Sequence, residues 1–558
     1  MPTNSTHTSA GVYTATKDLS AGEGVTLSTS IVGIVGGARR GPVNQRVPIL
    51  EPSVLSNTFG KRDPKYGLGL YIARQVSKQT NQLYYVRLTK NAKYAVLVVS
   101  VDDADAVVPK ISITPYVDAD GNIVGVDDPK QLGFLPNDVL NDNVIGYIIC
   151  ENPGEWNNEI SVQIRSAVPK GLDAVRDRKL YNAKIFYVEV FQNYQQGSAP
   201  IEQIQCTLND YADDMGRQYR FETALRDESA NIRFIRNEYF THDIDFLTSD
   251  FAFMAGASDG DAITSDMMAQ AYQDYFGDPE EVRVTLLVSG GLDDHIVHRG
   301  MVLAANNHIN CHVIGSIPQS EQTVAKAIRY RRQTLNINAK NMSLYAPHIK
   351  EFDEDTGRYI WVPFVGQVAA AYCATDNNRG TWFAPAGITA SENLQVYGSK
   401  QLYDQAARDA LAREQINYLR KLPEQLGGGY AIWEAFTLLN TDSAFQQVPI
   451  QRMVGYILEV ASRQARTGLF DPNDSVLRDT LVAKIEKFLE EIRLGRGLRT
   501  GSTGSAGYKV VCDETNNTNK TIENGDLIID IVLDPTRMTR RLIYRFNINP
   551  KGSTATVI

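Results

Sequence analysis

Little in this chain points to chemistry. Cysteine is scarce: five residues (Cys150, Cys206, Cys311, Cys373 and Cys512) are spread over 558 positions, with no CxxC pair. That spacing excludes a disulfide framework and argues against a zinc site, so synthesis in a reducing compartment is expected. Long apolar runs are missing as well. The best stretch, Tyr94–Val101, reads as a strand and falls far short of the ~18 residues that span a bilayer. Positive charge is not in excess, since 56 Lys and Arg against 65 Asp and Glu leave −9. A nucleic-acid binder needs a basic stripe to neutralise phosphates, and a membrane-surface protein a polybasic patch; neither partner is expected. Residues 1–18 have neither a basic head nor an apolar core, so no secretory leader is expected there.

What is present is ordinary globular material. Apolar residues make up 43% and charged residues 22%, enough to build cores and too apolar for wholesale disorder. At about 150 residues per domain the length suggests three or four domains.

The texture changes along the chain. Residues 1–25 are small and polar and read as an N-terminal arm. Residues 26–91 carry a buried strand from Ser30 into a glycine turn and a short strand Pro48–Glu51. A helix Tyr66–Lys78 and a strand Leu83–Leu88 follow. Residues 92–235 hold strand-like runs (96–101, 144–149, 160–164, 185–190) separated by Asn, Asp, Gly and Pro clusters, and predict an inserted all-β module. From 236 strands and helices alternate: strand Val282–Val288, helix His295–Asn306, strand Cys311–Ile317, helix Gln322–Gln333 with Ser320 as its cap. That alternation predicts an α/β core with a mixed sheet flanked by helices over 236–400. Residues 401–541 form a C-terminal domain. It has a helix Pro449–Arg466 and a second helix capped by Asp471 with Pro472 at its first position. Strands 508–513 and 527–533 follow, and residues 542–558 read as a C-terminal arm.

Each motif that could carry chemistry reads better as structure. Gly36 and Gly41 have P-loop separation, but Pro42 stands where the lysine belongs. Asp259 and Asp261 fall short of a calcium loop's acidic positions and closing Glu, and read as a turn. His295 and His298 lack the HExxH spacing and read as exposed helix histidines behind Asp293 and Asp294. There is no GxSxG elbow. Ser289–Asp294 follows a strand, the place where open α/β sheets hold ligands, and keeps an enzyme reading open.

An ordered set of fragments, Gly11–Val12–Tyr13, Val32–Gly36 with Gly41–Asn44, Tyr84–Arg87, Gly154–Asn158, Ala255–Gly260 and Gly380–Gly387, resembles the contractile tail sheath proteins of phages and phage-tail-like particles. Gly11–Val12–Tyr13 resembles the family's PGVY opening, with Ala10 in place of its proline. Val32–Gly36 with Gly41–Asn44 resembles "GxVG…KGPVN", and Tyr84–Arg87 resembles "YVVRV". Gly154–Asn158 is similar to "PGxWGN", Ala255–Gly260 to "GGxDG", and Gly380–Gly387 to "GxWxAPAG". The segment 430–439 departs, with IWEAF where many members have "VWGxRT".

The resemblance implies a non-enzymatic structural subunit with no cofactor. It implies stacked six-fold rings around a tail tube, whose contraction drives the tube through a host envelope for genome delivery. Tail tube, baseplate and tail terminator proteins are the implied partners, and the virion the implied location. A genome-free bacteriocin or injection particle is the alternative. The family's tube-contacting helix lies just before the last β segment, which assigns Arg478, Lys484, Lys487 and Glu491 to the tube-facing surface. The arms are expected to link subunits through Val12, Tyr13, Tyr544, Phe546 and Ile548. Their strand-like composition cannot fold alone. A neighbour's sheet edge at Leu527, Ile529 and Ile531 would receive them by backbone pairing.

Overall fold

In the computed structural model the described residues are 30–101, 111–132, 143–166, 184–240, 248–500 and 506–540. Both expected arms, with Val12, Tyr13, Tyr544, Phe546 and Ile548, lie outside them. The chain divides into two compact units, with boundaries at Tyr456/Ile457 and Thr536/Arg537. The first boundary falls inside the helix Val448–Arg466.

The larger unit is built on an eight-stranded sheet. Its order is Tyr430–Trp433, Ile416–Lys421, Met342–Ala346, His312–Ser316, Leu286–Val288, Val32–Gly36, Leu83–Arg87, Arg46–Ile49. All pairings from Ile416–Lys421 across to Leu83–Arg87 are parallel; the outermost strand at each edge is antiparallel. Parallel strands are covered on both faces, which is why these runs are apolar without alternation. Val32–Gly36 is buried at every position. Helices Gly69–Ser77 and Val365–Asn378 cover one face over a core that includes Phe59, Tyr71, Phe364 and Tyr372. Helices Ser265–Phe276 and His295–Asn306 cover the other, over Tyr272, Phe276, Met301 and Leu335. Those two helices touch at Gly300, where a Cβ would stand 2.7 Å from Ala269 Cα.

The core also holds charge. Arg452 donates two hydrogen bonds to Asp376, at 2.8 and 2.6 Å, and the Ser30 hydroxyl donates a third at 2.8 Å. All three residues are buried. Burial pulls the Arg452 guanidinium down, and the Asp376 carboxylate more than offsets it. His312 is buried beside them, bonded to Gln451 at 2.9 Å and Ser343 at 2.8 Å. Burial, then repulsion from Arg452, hold it down to about 3, so it is neutral.

Several expectations are corrected here. His298 is not exposed; it is fully buried and meets the Tyr330 hydroxyl at 3.1 Å. Its position, three residues before Met301, puts it on the helix's inward stripe. Asp294 is the cap, accepting from Ile296 N at 2.9 Å and Val297 N at 3.0 Å. Ser320 does not cap the next helix, which starts at Val324 after Thr323. The strand expected over 282–288 shortens to Leu286–Val288.

Residues after Lys93 form two four-stranded antiparallel sheets. One is ordered Ile232–Arg236, Val144–Cys150, Val96–Val101, Ile111–Pro115; the other Ala252–Phe253, Ile160–Ser166, Phe186–Gln192, Glu202–Cys206. They share one core with Leu97, Ile148, Val188, Phe221 and Phe234. The rings of Phe221 and Phe234 stack at 3.8 Å. This core runs on to Ala257, past the 235 read from the sequence, because the short strand Ala252–Phe253 completes the second sheet. It also includes a helix, Phe221–Glu228, so it is not purely β.

Candidate assembly surfaces

The smaller unit carries the helix assigned to the tube. It runs Ser475–Leu494 and starts three residues later than expected, because Asp474 rather than Asp471 supplies the capping oxygen, accepting from Leu477 N at 2.9 Å. Leu481, Ile485, Leu489 and Ile492 form its buried stripe. Arg478 lies three residues before Leu481 and shares that stripe. It is buried, which removes it from the exposed surface. Lys484, Lys487 and Glu491 are exposed. Lys484 Nζ donates to Thr467 Oγ1 at 3.3 Å. Further along, Arg493 Nε donates to Glu490 Oε2 at 2.7 Å, and this bond holds the Glu490 carboxyl below its ordinary range. The Tyr508 hydroxyl donates to the same oxygen at 3.3 Å.

Tyr508–Val511 and Asp530–Leu533 form a two-stranded antiparallel ribbon, Tyr508 opposite Leu533 and Val511 opposite Asp530. Among the described residues each strand has one ladder edge with no strand beside it. Ile531 lies on the strand; Leu527 and Ile529 precede it, in backbone without ladder pairing. Val532 is exposed. Asn517 fastens the connection. Its amide donates to Ile528 O at 2.9 Å and accepts from Ile528 N at 2.8 Å, with the side chain buried. A lone Asn in a polar loop gives no signal for this.

The motifs tested for chemistry resolve into turns. Asp259 accepts from Glu155 N at 2.9 Å and faces Lys65 Nζ at 3.4 Å; Asp261 accepts from Asn91 at 2.7 Å. No group of three or more potential metal ligands assembles among the described residues. Trp156 is buried, and Asn157 beside it accepts from Ala95 N at 3.1 Å. Gly380 holds φ +100°, and a Cβ there would meet the Trp382 ring at 2.7 Å.

At the candidate ligand loop Ser289 is fully buried and donates to Asp293, whose other oxygen stands 3.6 Å from His348 Nε2. The carboxylate therefore sits between hydroxyl and imidazole. A nucleophile relay needs the imidazole in the middle. No described helix is long and apolar enough to cross a membrane.

No family model matches the chain. Two curated proteins do. The tail sheath protein of Enterobacteria phage T4 is 24% identical over 318 residues, 53% of this chain and 47% of that one. The tail sheath protein of Vibrio phage KVP40 is 25% identical over 320 residues, 52% of this chain and 45% of that one. The chain is similar to contractile tail sheath proteins over half its length. It spans about half the length of the curated relatives it matches. The fold agrees with the solved sheath tail protein of Desulfitobacterium hafniense at TM-score 0.53 and 14% identity, covering 90% of this chain and 94% of that one. Both curated proteins carry the name tail sheath protein, and at Ser289–Asp294 the order of hydroxyl, carboxylate and imidazole does not support a nucleophile relay.

Proposed function

We propose that the chain is a sheath subunit that polymerises with itself as stacked six-fold rings around a tail tube. The sheath is held extended and then contracts, driving the tube through a host envelope for genome delivery. The similarity to two tail sheath proteins over half the chain carries this reading. In this reading the polymer stores its energy as a metastable packing released over a barrier, so no nucleotide or cofactor enters. Baseplate and terminator proteins close the two ends, in a virion assembled in the host cytoplasm, with the β-rich residues as an inserted outer module.

The exposed Lys484, Lys487 and Glu491 face the tube in this proposal. Exposed ion pairs are worth about 0–1 kcal/mol each, so a contact made of many copies can hold and still release. Residues 1–25 and 542–558 link neighbouring subunits by adding strands to the ribbon at Ile531. Its unpaired edges support this, since a two-stranded ribbon is marginal alone. Backbone bonds net about 0.5–1.5 kcal/mol each and need no particular side chain, so such a link survives rigid-body rotation. Deleting residues 1–20 tests it: folded monomers that fail to polymerise are expected. Tubes like those of the full chain would place the linkage elsewhere.

A further inference from the structure

The chain enters its fold beside a groove. Ser30, the first described residue, is buried and held from two sides. Its hydroxyl donates to Asp376 Oδ2 at 2.8 Å, and its carbonyl accepts from Thr80 Oγ1 at 3.0 Å. The residues next to those partners, Thr375 and Gln79, both line a groove of about 470 Å³. Asn377 Nδ2 donates to Gln79 O at 3.1 Å and ties the walls together at that end.

The walls are the helices Gly69–Ser77 and Val365–Asn378 and the residues 389–395. The apolar part of the lining is small: Ala370, Ala371 and Ala374 from the second helix, with Leu394. Much of the polar part is carboxamide, with Gln79, Gln367, Asn378 and Gln395 among it. A carboxamide holds a donor and an acceptor. Extended backbone presents the same two groups and needs both paired. Alanines leave room for such a backbone to lie close to the helix.

The residues before Ser30 read Val25–Thr26–Leu27–Ser28–Thr29. In an extended chain Val25, Leu27 and Thr29 share one face, and four residues cover about 13 Å. From Thr375 back to Gln367 the helix covers about 12 Å.

We propose that residues 25–29 lie extended in this groove of their own chain, with Val25 and Leu27 on the alanines and the backbone paired with the carboxamides. The path of the chain chooses the occupant. The segment starts where the groove starts, matches its length, and carries its two apolar side chains in one phase. Charge has no part in the choice, because the segment has none. The inference deepens the sheath reading and rests on it for its consequence: the arm before Val25 leaves the subunit from a fixed point, which limits the neighbours it can reach.

The test is a disulfide in the full-length chain, Leu27→Cys with Ala371→Cys, one helical turn along from Thr375. It is formed under mild oxidant at low protein concentration. All five native cysteines are buried, so background cross-linking is low. A cross-link within one chain is expected, at least tenfold more than for Ser28→Cys with Ala371→Cys, whose first thiol is out of phase. A second variant, Ala374→Trp, fills the groove from a half-buried position. It is expected to keep its denaturant midpoint and to be cut by chymotrypsin at Leu27 at least fivefold faster than the unaltered chain. No cross-link in a folded chain, equal yields from the two thiol phases, a cross-link between two chains, or unchanged cleavage of Ala374→Trp would each overturn the inference. Electron microscopy of the unaltered chain reads the sheath function separately. Tubes with no cross-link would sink the groove and leave the sheath reading standing; the cross-link without tubes would do the reverse.

Discussion

The eight-stranded sheet and the smaller unit treat their residues in opposite ways. Around the eight-stranded sheet nearly everything is spent internally: strands are buried on both faces, and even charge is paired inside, as at Arg452 and Asp376. The unit Ile457–Thr536 leaves much open. Among the described residues its ribbon has two bare edges, its long helix a charged outer face, and its turn an exposed Phe470. In the proposed reading such a surface is left for other copies and for the tube. The contrast separates residues that hold the subunit together from residues available to hold subunits to one another, and substitutions can break or sharpen it.

The largest effect is expected at Asp376→Ala. It strands the buried Arg452 charge and is expected to cost about 3–5 kcal/mol, lowering the denaturant midpoint and the yield of folded chain. Replacing both partners, Arg452→Met with Asp376→Leu, is expected to recover most of that loss.

Over the first pH unit below 6.5 a smaller effect belongs to His312. Its folded-state value of about 3 lies below the ordinary 6.5. The stability tied to its neutral form is therefore complete above pH 6.5. It falls as pH drops from about 6.5 towards 3, by about 1.4 kcal/mol per pH unit, because only the unfolded chain takes up the proton there. His312→Gln is expected to remove that slope from denaturation measured across pH. An unchanged slope would show that His312 does not carry it.

The smallest effect on the fold is expected at the outer helix face. Lys484→Glu with Lys487→Glu is expected to shift subunit stability within about 0.5 kcal/mol. Co-sedimentation with tubes should fall while tube-free polymers still form. A large stability loss would place these lysines among the residues that hold the fold, and the contrast would fail there.

The sequence exposes the first kind of residue better than the second. Val32–Gly36 and Leu83–Arg87 are legible because apolar runs bounded by glycine or polar residues have few alternatives. Helix Val365–Asn378 is not: it is buried almost all round, so no polar face marks its period. His298 and Arg478 mislead for a related reason. Residue type says surface, whereas their spacing from Met301 and Leu481 says core, and spacing wins. At the candidate surfaces the exposed Lys484, Lys487 and Glu491 follow from helical phase alone. The start of that helix does not, because Asp471 and Asp474 both precede it and only the geometry shows which oxygen reaches a backbone N–H. Phe470 is invisible in sequence, since an aromatic residue in a turn is expected to be buried.

The most direct measurement is electron microscopy of the purified full-length chain with no other protein present. Hollow high-mass tubes or stacked rings with six-fold symmetry are the predicted result. A monodisperse monomer or small closed oligomer at concentrations where tail sheaths assemble would contradict the account.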